Sequence, residues 1–334
     1  MKGLRHVSYE PSVYEKVKKE FEQKKLEHIR LRNERIDIVY KKAPKLWEID
    51  KEISRVGSEM VQLILSKPER ADDFVKMVKE TLIQMKQERI NVLVANGFPK
   101  DYTDIKYRCK KCEDTGFVDG AECECYKERL REEAYRESNL SALIKTQTFE
   151  KFNVFLFSDK PGNKNISPRE LAKENLEFCK NYARDFDSHN RSLLLYGGAG
   201  LGKTFLSTCI AKKLIDDGKN VMYQSAVTMF GYYMDYIFNR IEAQEARNEF
   251  AKLKKCDLLI IDDLGAESTN AQMSAFLFEL LNDRILSDKK TLISTNYNLQ
   301  EIAKTYSERI HSRIMQHFDI VRFEGTDIRG REIQ

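Results

Sequence analysis

Gly197-Gly198-Ala199-Gly200-Leu201-Gly202-Lys203-Thr204 is the stretch that decides the fold of this chain. It fits G-x-x-x-x-G-K-[ST], and both flanks agree with it. Ser192-Leu193-Leu194-Leu195-Tyr196 before it is a short apolar run that reads as a buried strand. Phe205-Leu206-Ser207-Thr208-Cys209-Ile210-Ala211-Lys212-Lys213-Leu214 after it reads as a helix. A strand, a glycine loop and a helix together make a phosphate cradle. The glycines let successive backbone N–H groups turn inward, and the helix start adds its positive end. The residues from Gly197 and Gly198 through Ala199, Gly200, Leu201, Gly202, Lys203 and Thr204 to Phe205 are therefore the expected contacts of a nucleoside triphosphate. Lys203 would reach the β- and γ-phosphates, and Thr204 would offer its hydroxyl to Mg²⁺.

About sixty residues further on, Leu258-Leu259-Ile260-Ile261-Asp262-Asp263 reads as an apolar strand ending in two carboxylates. Behind a phosphate loop, Asp262 would hold Mg²⁺ through water and Asp263 would orient and polarise an attacking water. Thr291-Leu292-Ile293-Ser294-Thr295-Asn296 is a third strand with a polar end, from which Asn296 can reach the γ-phosphate or that water. Glu308-Arg309-Ile310-His311-Ser312-Arg313 sets two arginines four apart on one helix face. Such pairs are commonly ordinary surface residues. In an ATPase, one of them can stabilise charge on a neighbouring subunit's phosphates, which requires self-association. From residue 146 onward short apolar strands alternate with helices, which predicts a mostly parallel sheet flanked by helices.

Working toward the N-terminus, Cys109-Lys110-Lys111-Cys112 and Cys123-Glu124-Cys125 give C-x₂-C, a ten-residue gap and C-x-C. Two thiol pairs joined by the turn-forming Asp114-Thr115-Gly116-Phe117-Val118-Asp119-Gly120 can meet around one Zn²⁺, which would fold a loop with almost no apolar core. Disulfides and a redox pair are the competing readings, and His6 and His28 are too remote in sequence to recruit as ligands. Cys179, Cys209 and Cys256 lie in apolar surroundings as small core residues. The first hundred residues read as three charged amphipathic helices, broken near Pro44 and Pro68 and ended by Asn96-Gly97-Phe98-Pro99. They suit a coiled-coil hairpin, a partner-binding surface or a solvated bundle. The expected division is residues 1–100 helical, 101–145 the cysteine module and a linker helix, and 146–334 the ATPase.

Composition constrains the rest. The chain has 334 residues, 33% of them charged and 41% hydrophobic, with a net charge of +4. That charge permits a local nucleic-acid surface without arguing for one. No run approaches the roughly 18 apolar residues of a membrane span, and Met1-Lys2-Gly3-Leu4-Arg5-His6 lacks the apolar core of a signal peptide. The expected location is the cytoplasm, with no membrane partner.

These pieces in this order resemble an AAA+ ATPase. The ending Asp262-Asp263-Leu264-Gly265 and the preceding cysteine module look like the bacterial helicase loaders of the DnaC/DnaI class. The resemblance covers about residues 100–334. It implies Gly197, Gly202, Lys203 and Thr204 as Walker A, Asp262 and Asp263 as Walker B, and Asn296 as sensor 1. Arg313 is then the arginine finger, with Arg309 in reserve. It also implies ATP and ADP as ligands, single-stranded DNA as a partner of the ATPase domain, and a DnaB-type replicative helicase as the partner of the N-terminal region. An IstB-type transposition helper has a nearly identical motor. An initiator of the DnaA type would need a helix-turn-helix module after the motor, and a DNA-binding scaffold would not need a complete ATP site.

Two departures from the general AAA+ pattern stand out. Asp263 replaces the commoner Glu and is one methylene shorter, which suits slow, switch-like hydrolysis. Only 38 residues follow Asn296, too few for a finger helix and a full helical lid. Arg329 is the nearest substitute for a lid arginine. The aromatic run Phe230 to Arg240 lies where the resemblance implies a single-stranded DNA path. Tyr233 and Tyr236 can stack bases there, although an aromatic stripe at helical spacing is more often core.

Overall fold

A computed structural model describes residues 9–66, 71–140, 142–144, 146–161 and 166–330. His6 and Pro68 lie outside the described residues. The elements run in chain order as α1 (Pro11–Lys42), α2 (Lys45–Ser66), α3 (Ala71–Ala95), β1 (Phe117–Val118), β2 (Ala121–Glu122), α4 (Glu124–Glu137) and α5 (Pro168–Arg184), then β3 (Ser192–Gly197), α6 (Lys203–Asp216), β4 (Val221–Ser225), α7 (Ala226–Ile237), α8 (Ala243–Lys255) and β5 (Leu258–Leu264), and finally α9 (Ala271–Leu286), β6 (Lys290–Thr295), α10 (Leu299–Thr305), α11 (Glu308–His317) and β7 (Phe318–Phe323). The chain divides into two compact units, one of Met1–Val17 with Lys127–Gln334 and one of Lys18–Tyr126.

The larger unit is built on a five-stranded sheet in the order β4-β5-β6-β3-β7, parallel throughout. Such a sheet is covered on both faces, so its strands read as unbroken apolar runs. Leu193, Leu194 and Leu195 of β3 and Leu258 to Ile261 of β5 are accordingly fully buried. Phe276, Leu277, Leu280 and Leu281 of α9 and Ile310 and Ile314 of α11 join the core on one side. Helix starts are well specified: Ser167 and Glu170 form a capping box before α5, and Asn298 and Glu301 form another before α10. The start of α1 belongs to this unit, with the Tyr9 hydroxyl donating to the Ile215 carbonyl at 3.0 Å.

In three places the structure differs from the sequence reading. Helix α6 begins at Lys203, so Lys203 and Thr204 lie on its first turn. Strand β5 does not stop at the carboxylates but continues to Leu264, with a register shift between Ile261 and Leu264. A further strand, β7, pairs with β3 along its whole length, and among the described residues no helical lid follows it.

The smaller unit contains the rest of α1, then α2 and α3. Its core is small, as the charged sequence implies: Val39, Ala43, Leu46 and Leu93 are buried together. Polar contacts supplement it. Arg89 grips both carboxylate oxygens of Asp50 at 2.6 and 3.1 Å, and the Tyr40 hydroxyl donates to Asp50 at 2.8 Å.

Candidate functional site

The glycine loop leaves β3 at Gly197, where φ is +143°, and enters α6 at Gly202, where φ is +85°. Both are conformations that side chains disfavour. At Gly197 space forbids a side chain as well, since an added Cβ would lie 2.2 Å from the Phe323 carbonyl oxygen. The Lys203 ammonium folds back inside this loop. It donates to the carbonyls of Gly197 and Gly198 at 2.7 Å each and to Asn296 Oδ1 at 2.8 Å. All three ammonium protons are thereby engaged. Burial pushes the Lys203 pKa down, and the nearby Asp263 and Asp262 oppose that shift.

Asp262 and Asp263 are adjacent in sequence but face different surroundings. Asp262 is 6% exposed, while Asp263 is exposed and has φ +57°. The irregularity in β5 turns the two side chains apart, as bulges beside functional sites do. Asp262 accepts from the Thr204 hydroxyl, which lies 3.1 Å from both carboxylate oxygens. It also accepts from the Tyr223 hydroxyl at 2.6 Å and from the Ser294 hydroxyl. Burial, and then the Asp262 carboxylate, push the Tyr223 pKa up, so this phenol is a donor at neutral pH. Asp263 accepts from Asn296 Nδ2 at 3.0 Å, and its own N–H donates to Ser294 Oγ at 2.9 Å.

Lys203, Thr204, Asp262, Asp263, Ser294 and Asn296 border one cavity of about 480 Å³. Ala199 through Phe205 form one wall, and Asp262, Asp263, Ser294 and Asn296 form another. Gly197 and Gly198 serve from behind, through their carbonyls. Ile328 and Arg329 also line the cavity, because the chain after β7 returns to the loop. The Ile328 N–H donates to the Gly200 carbonyl at 3.1 Å, and Arg329 pairs with Asp327 at 2.7 Å. Gln147 lines the cavity too, with its Oε1 buried and unpartnered. Arg309 is exposed on α11, and Arg313 donates to Asn282 at 3.3 Å with its guanidinium over the Phe278 ring. Neither lines the cavity of its own chain.

The donor set suits a magnesium triphosphate. Thr204 and Asp262 present hard oxygen ligands side by side, as Mg²⁺ requires, and the loop and Lys203 present N–H groups to phosphate. Tyr223, Ser294, Gln147 and Ile328 were not found by sequence reasoning. Tyr223 and Ser294 reach Asp262 only through strand register, for which the sequence carries no local signal.

The cysteines form a second centre. The Sγ atoms of Cys109, Cys112, Cys123 and Cys125 all lie within 4.8 Å of one another. Sulfurs about 2.3 Å from a tetrahedral zinc would be about 3.8 Å apart. Cys109 and Cys123 are separated by 3.8 Å, and Cys112 and Cys125 by 3.4 Å, so the four thiols fit the ion. Between them β1 and β2 form a hairpin across Asp119 and Gly120, both at positive φ, as a tight Asp-Gly turn requires. The Asp114 carboxylate takes the N–H groups of Arg108 and Cys109 at 2.8 Å each and holds the first knuckle in place. His28 lies 3.7 Å from Asp114, outside the thiol cluster.

The aromatic run divides. Phe230 is fully buried, and Tyr233 stacks on Phe276 with ring centroids 4.2 Å apart, so both belong to the core. Tyr236 packs edge-on against Phe250 at 5.7 Å. Phe238 is 59% exposed, with the Arg240 guanidinium 5.3 Å from its ring centroid.

Comparisons with known proteins agree with this reading of the motor. A family model described as IstB-like ATP binding protein matches residues 123–333. The replicative helicase loader DnaC of Escherichia coli (strain K12) is 26% identical over 139 residues, 42% of this chain and 56% of the relative. The replicative helicase loader DnaI of Bacillus subtilis (strain 168) is 28% identical over 136 residues, 40% of this chain and 42% of the relative. A crystal structure of the DnaC helicase loader aligns with a TM-score of 0.45 at 16% identity, over 55% of this chain and 99% of that one. The chain spans about half the length of the curated relatives it matches. It belongs to the IstB-like ATP-binding family.

Proposed function

We propose that this family member is an ATP-binding and ATP-hydrolysing helicase loader, which binds single-stranded DNA and a DnaB-type replicative helicase. The observation that carries the ATPase part is the meeting of Lys203, Thr204, Asp262, Asp263 and Asn296 around one cavity. Lys203 exchanges the loop carbonyls for phosphate oxygens when ATP enters. Thr204 and Asp262 would hold Mg²⁺, which would supply charge neutralisation at the phosphates. Asp263 accepts a proton from, and orients, the attacking water, with Asn296 fixing the direction of its carboxylate. Its short side chain suits slow, switch-like turnover. Arg313, with Arg309 in reserve, acts on a neighbouring subunit's nucleotide, and Arg329 acts within its own chain.

The names of the two curated loader relatives support the helicase reading. In this reading residues 1–100 carry the helicase contact, 101–145 form a zinc-ordered adaptor and linker, and 146–334 form the motor. The exposed Phe238–Arg240 pair suits base stacking with phosphate contact. A second reading, an IstB-type transposition helper, is favoured by the description of the matching family model. Native mass spectrometry with the host's replicative helicase, in ATP and in ADP, separates the two. A defined complex that is lost on deleting residues 1–145 supports the loader. No complex in either nucleotide rejects it and makes a transposase the next partner to test.

A further inference from the structure

We infer that Tyr223 is a positioning residue for Asp262, clamping the carboxylate in the orientation that Mg²⁺ binding needs. The inference rests on the magnesium-nucleotide reading of the cavity and adds a residue that neither the loop nor the carboxylate strand contains.

Asp262 is buried, and the side chains that donate to it are all hydroxyls: Thr204, Tyr223 and Ser294. Thr204 approaches both carboxylate oxygens equally at 3.1 Å, so it does little to fix their rotation. The other two donors divide the work. Ser294 donates to Oδ1 and Tyr223 to Oδ2, the latter at 2.6 Å, within the short range of a charge-assisted bond. Once Thr204 turns toward the metal, Ser294 and Tyr223 are the pair left to hold the two oxygens.

The ring that reaches Asp262 is itself held from behind. Strand β4 lies at the edge of the sheet, where outward N–H and C=O groups would ordinarily face water. At Tyr223 both are taken. Its N–H donates to the Ser138 carbonyl at 3.1 Å, and its carbonyl accepts from Asn139 Nδ2 at 3.3 Å. Ser138 and Asn139 immediately follow α4. Asn139 stands at φ +62°, a conformation Asn tolerates better than most residues, which ends the helix and turns it onto β4. In register, Tyr223 pairs with Ile260 and Ser225 with Asp262, so the phenol extends along the strand direction by one same-face step. A phenylalanine would fill the same space without the bond.

The test uses the full-length chain, a fluorescent ATP analogue as probe, and Mg²⁺ as the titrant. In Tyr223→Phe, analogue affinity measured in EDTA should stay within about twofold of wild type, because the loop and Lys203 are untouched. The Mg²⁺ concentration at half-saturation should rise by about 10- to 100-fold, the usual effect of removing a group that orients a metal ligand. An unchanged Mg²⁺ midpoint, or equal losses with and without metal, overturns the inference. A double-mutant cycle with Asp262→Asn gives a second, independent reading. If Tyr223 acts through Asp262, adding Tyr223→Phe to Asp262→Asn shifts the midpoint no further, whereas fully additive losses overturn it. Wild-type protein that fails to bind the analogue refutes the nucleotide reading itself. Wild-type binding with an unmoved Tyr223→Phe midpoint refutes only the role of Tyr223.

Discussion

Replacing Lys203 with methionine should separate folding from binding. In the free protein the ammonium makes three hydrogen bonds, at 2.7, 2.7 and 2.8 Å, all within its own cradle. ATP therefore does not add three bonds at this side chain. It exchanges neutral acceptors for charged phosphate oxygens. The difference is comparable to one charge-assisted hydrogen bond, about 2–3 kcal/mol, so Lys203→Met should weaken ATP binding by about 30- to 150-fold. Folding should respond differently. Burial lowers the Lys203 pKa from its ordinary 10.5, so the fold disfavours the charged form. Methionine keeps most of the volume and removes that cost. Two of the three acceptors it leaves behind belong to exposed residues, Gly198 and Asn296, where water can replace the ammonium. Free Lys203→Met should melt at or above the wild-type temperature while losing most of the ATP-induced rise. Thermal melts with and without magnesium-ATP, together with a direct affinity measurement, test both halves. An affinity within about threefold of wild type would refute the exchange argument, and a free variant melting more than about 4 °C lower would refute the burial argument. The pH dependence has a definite sign. Between the lowered folded pKa of Lys203 and 10.5 the unfolded chain holds more proton, so the stability of the free protein rises with pH there. Phosphate favours the ammonium, so ATP affinity falls over the same interval, and Lys203→Met should lose that slope.

Three further outcomes follow from other parts of the structure. Asp263→Asn keeps the hydrogen bond to Asn296 but removes the base, so phosphate release should slow by about 10²- to 10⁴-fold with ATP affinity retained; affinity lost in parallel would place Asp263 in binding instead. The purified chain should carry one zinc by elemental analysis, lost on Cys112→Ser together with the order of the β1–β2 hairpin, and a metal-free chain with an intact hairpin would refute the structural role. Tyr233→Ala should cost about 2–4 kcal/mol of stability through its stack on Phe276, whereas Phe238→Ala should leave the melting temperature unchanged and weaken single-stranded DNA binding by about tenfold. Unchanged DNA affinity in Phe238→Ala would remove this surface from the DNA path.

What could be read in advance depended on how far apart the cooperating residues lie in sequence. The cradle is local: eight consecutive residues contain the loop, the ammonium and the hydroxyl, and glycine occupies the positions where φ is positive. The cysteine centre is nearly as local, because Asp119 and Gly120 specify the turn that brings its two halves together. The apolar run Leu258 to Ile261 likewise announced a buried strand with carboxylates behind it. It did not announce that the strand continues through them, nor that Asp263 turns to φ +57° while Asp262 faces inward. That divergence depends on the pairing of β5 with β6, where Ser294 Oγ accepts the Asp263 N–H and donates its own proton to Asp262. One serine thus orients both carboxylates from a neighbouring strand.

The aromatic run shows the same limit from the other side. The sequence placed Tyr233, Tyr236 and Phe238 in one aromatic run and offered Tyr233 and Tyr236 for base stacking, with a core role as the alternative. The structure separates them by what lies opposite: Phe276 of α9 covers Tyr233, while Phe238 follows the end of α7 and stays exposed. Motif residues supply the reactive groups, and residues on other strands and helices set their direction. A substitution at Lys203 or Asp263 should therefore change what the cavity can bind or hydrolyse. A substitution at Tyr223 should instead change how much metal the cavity needs, because its hydroxyl reaches nucleotide only through Asp262.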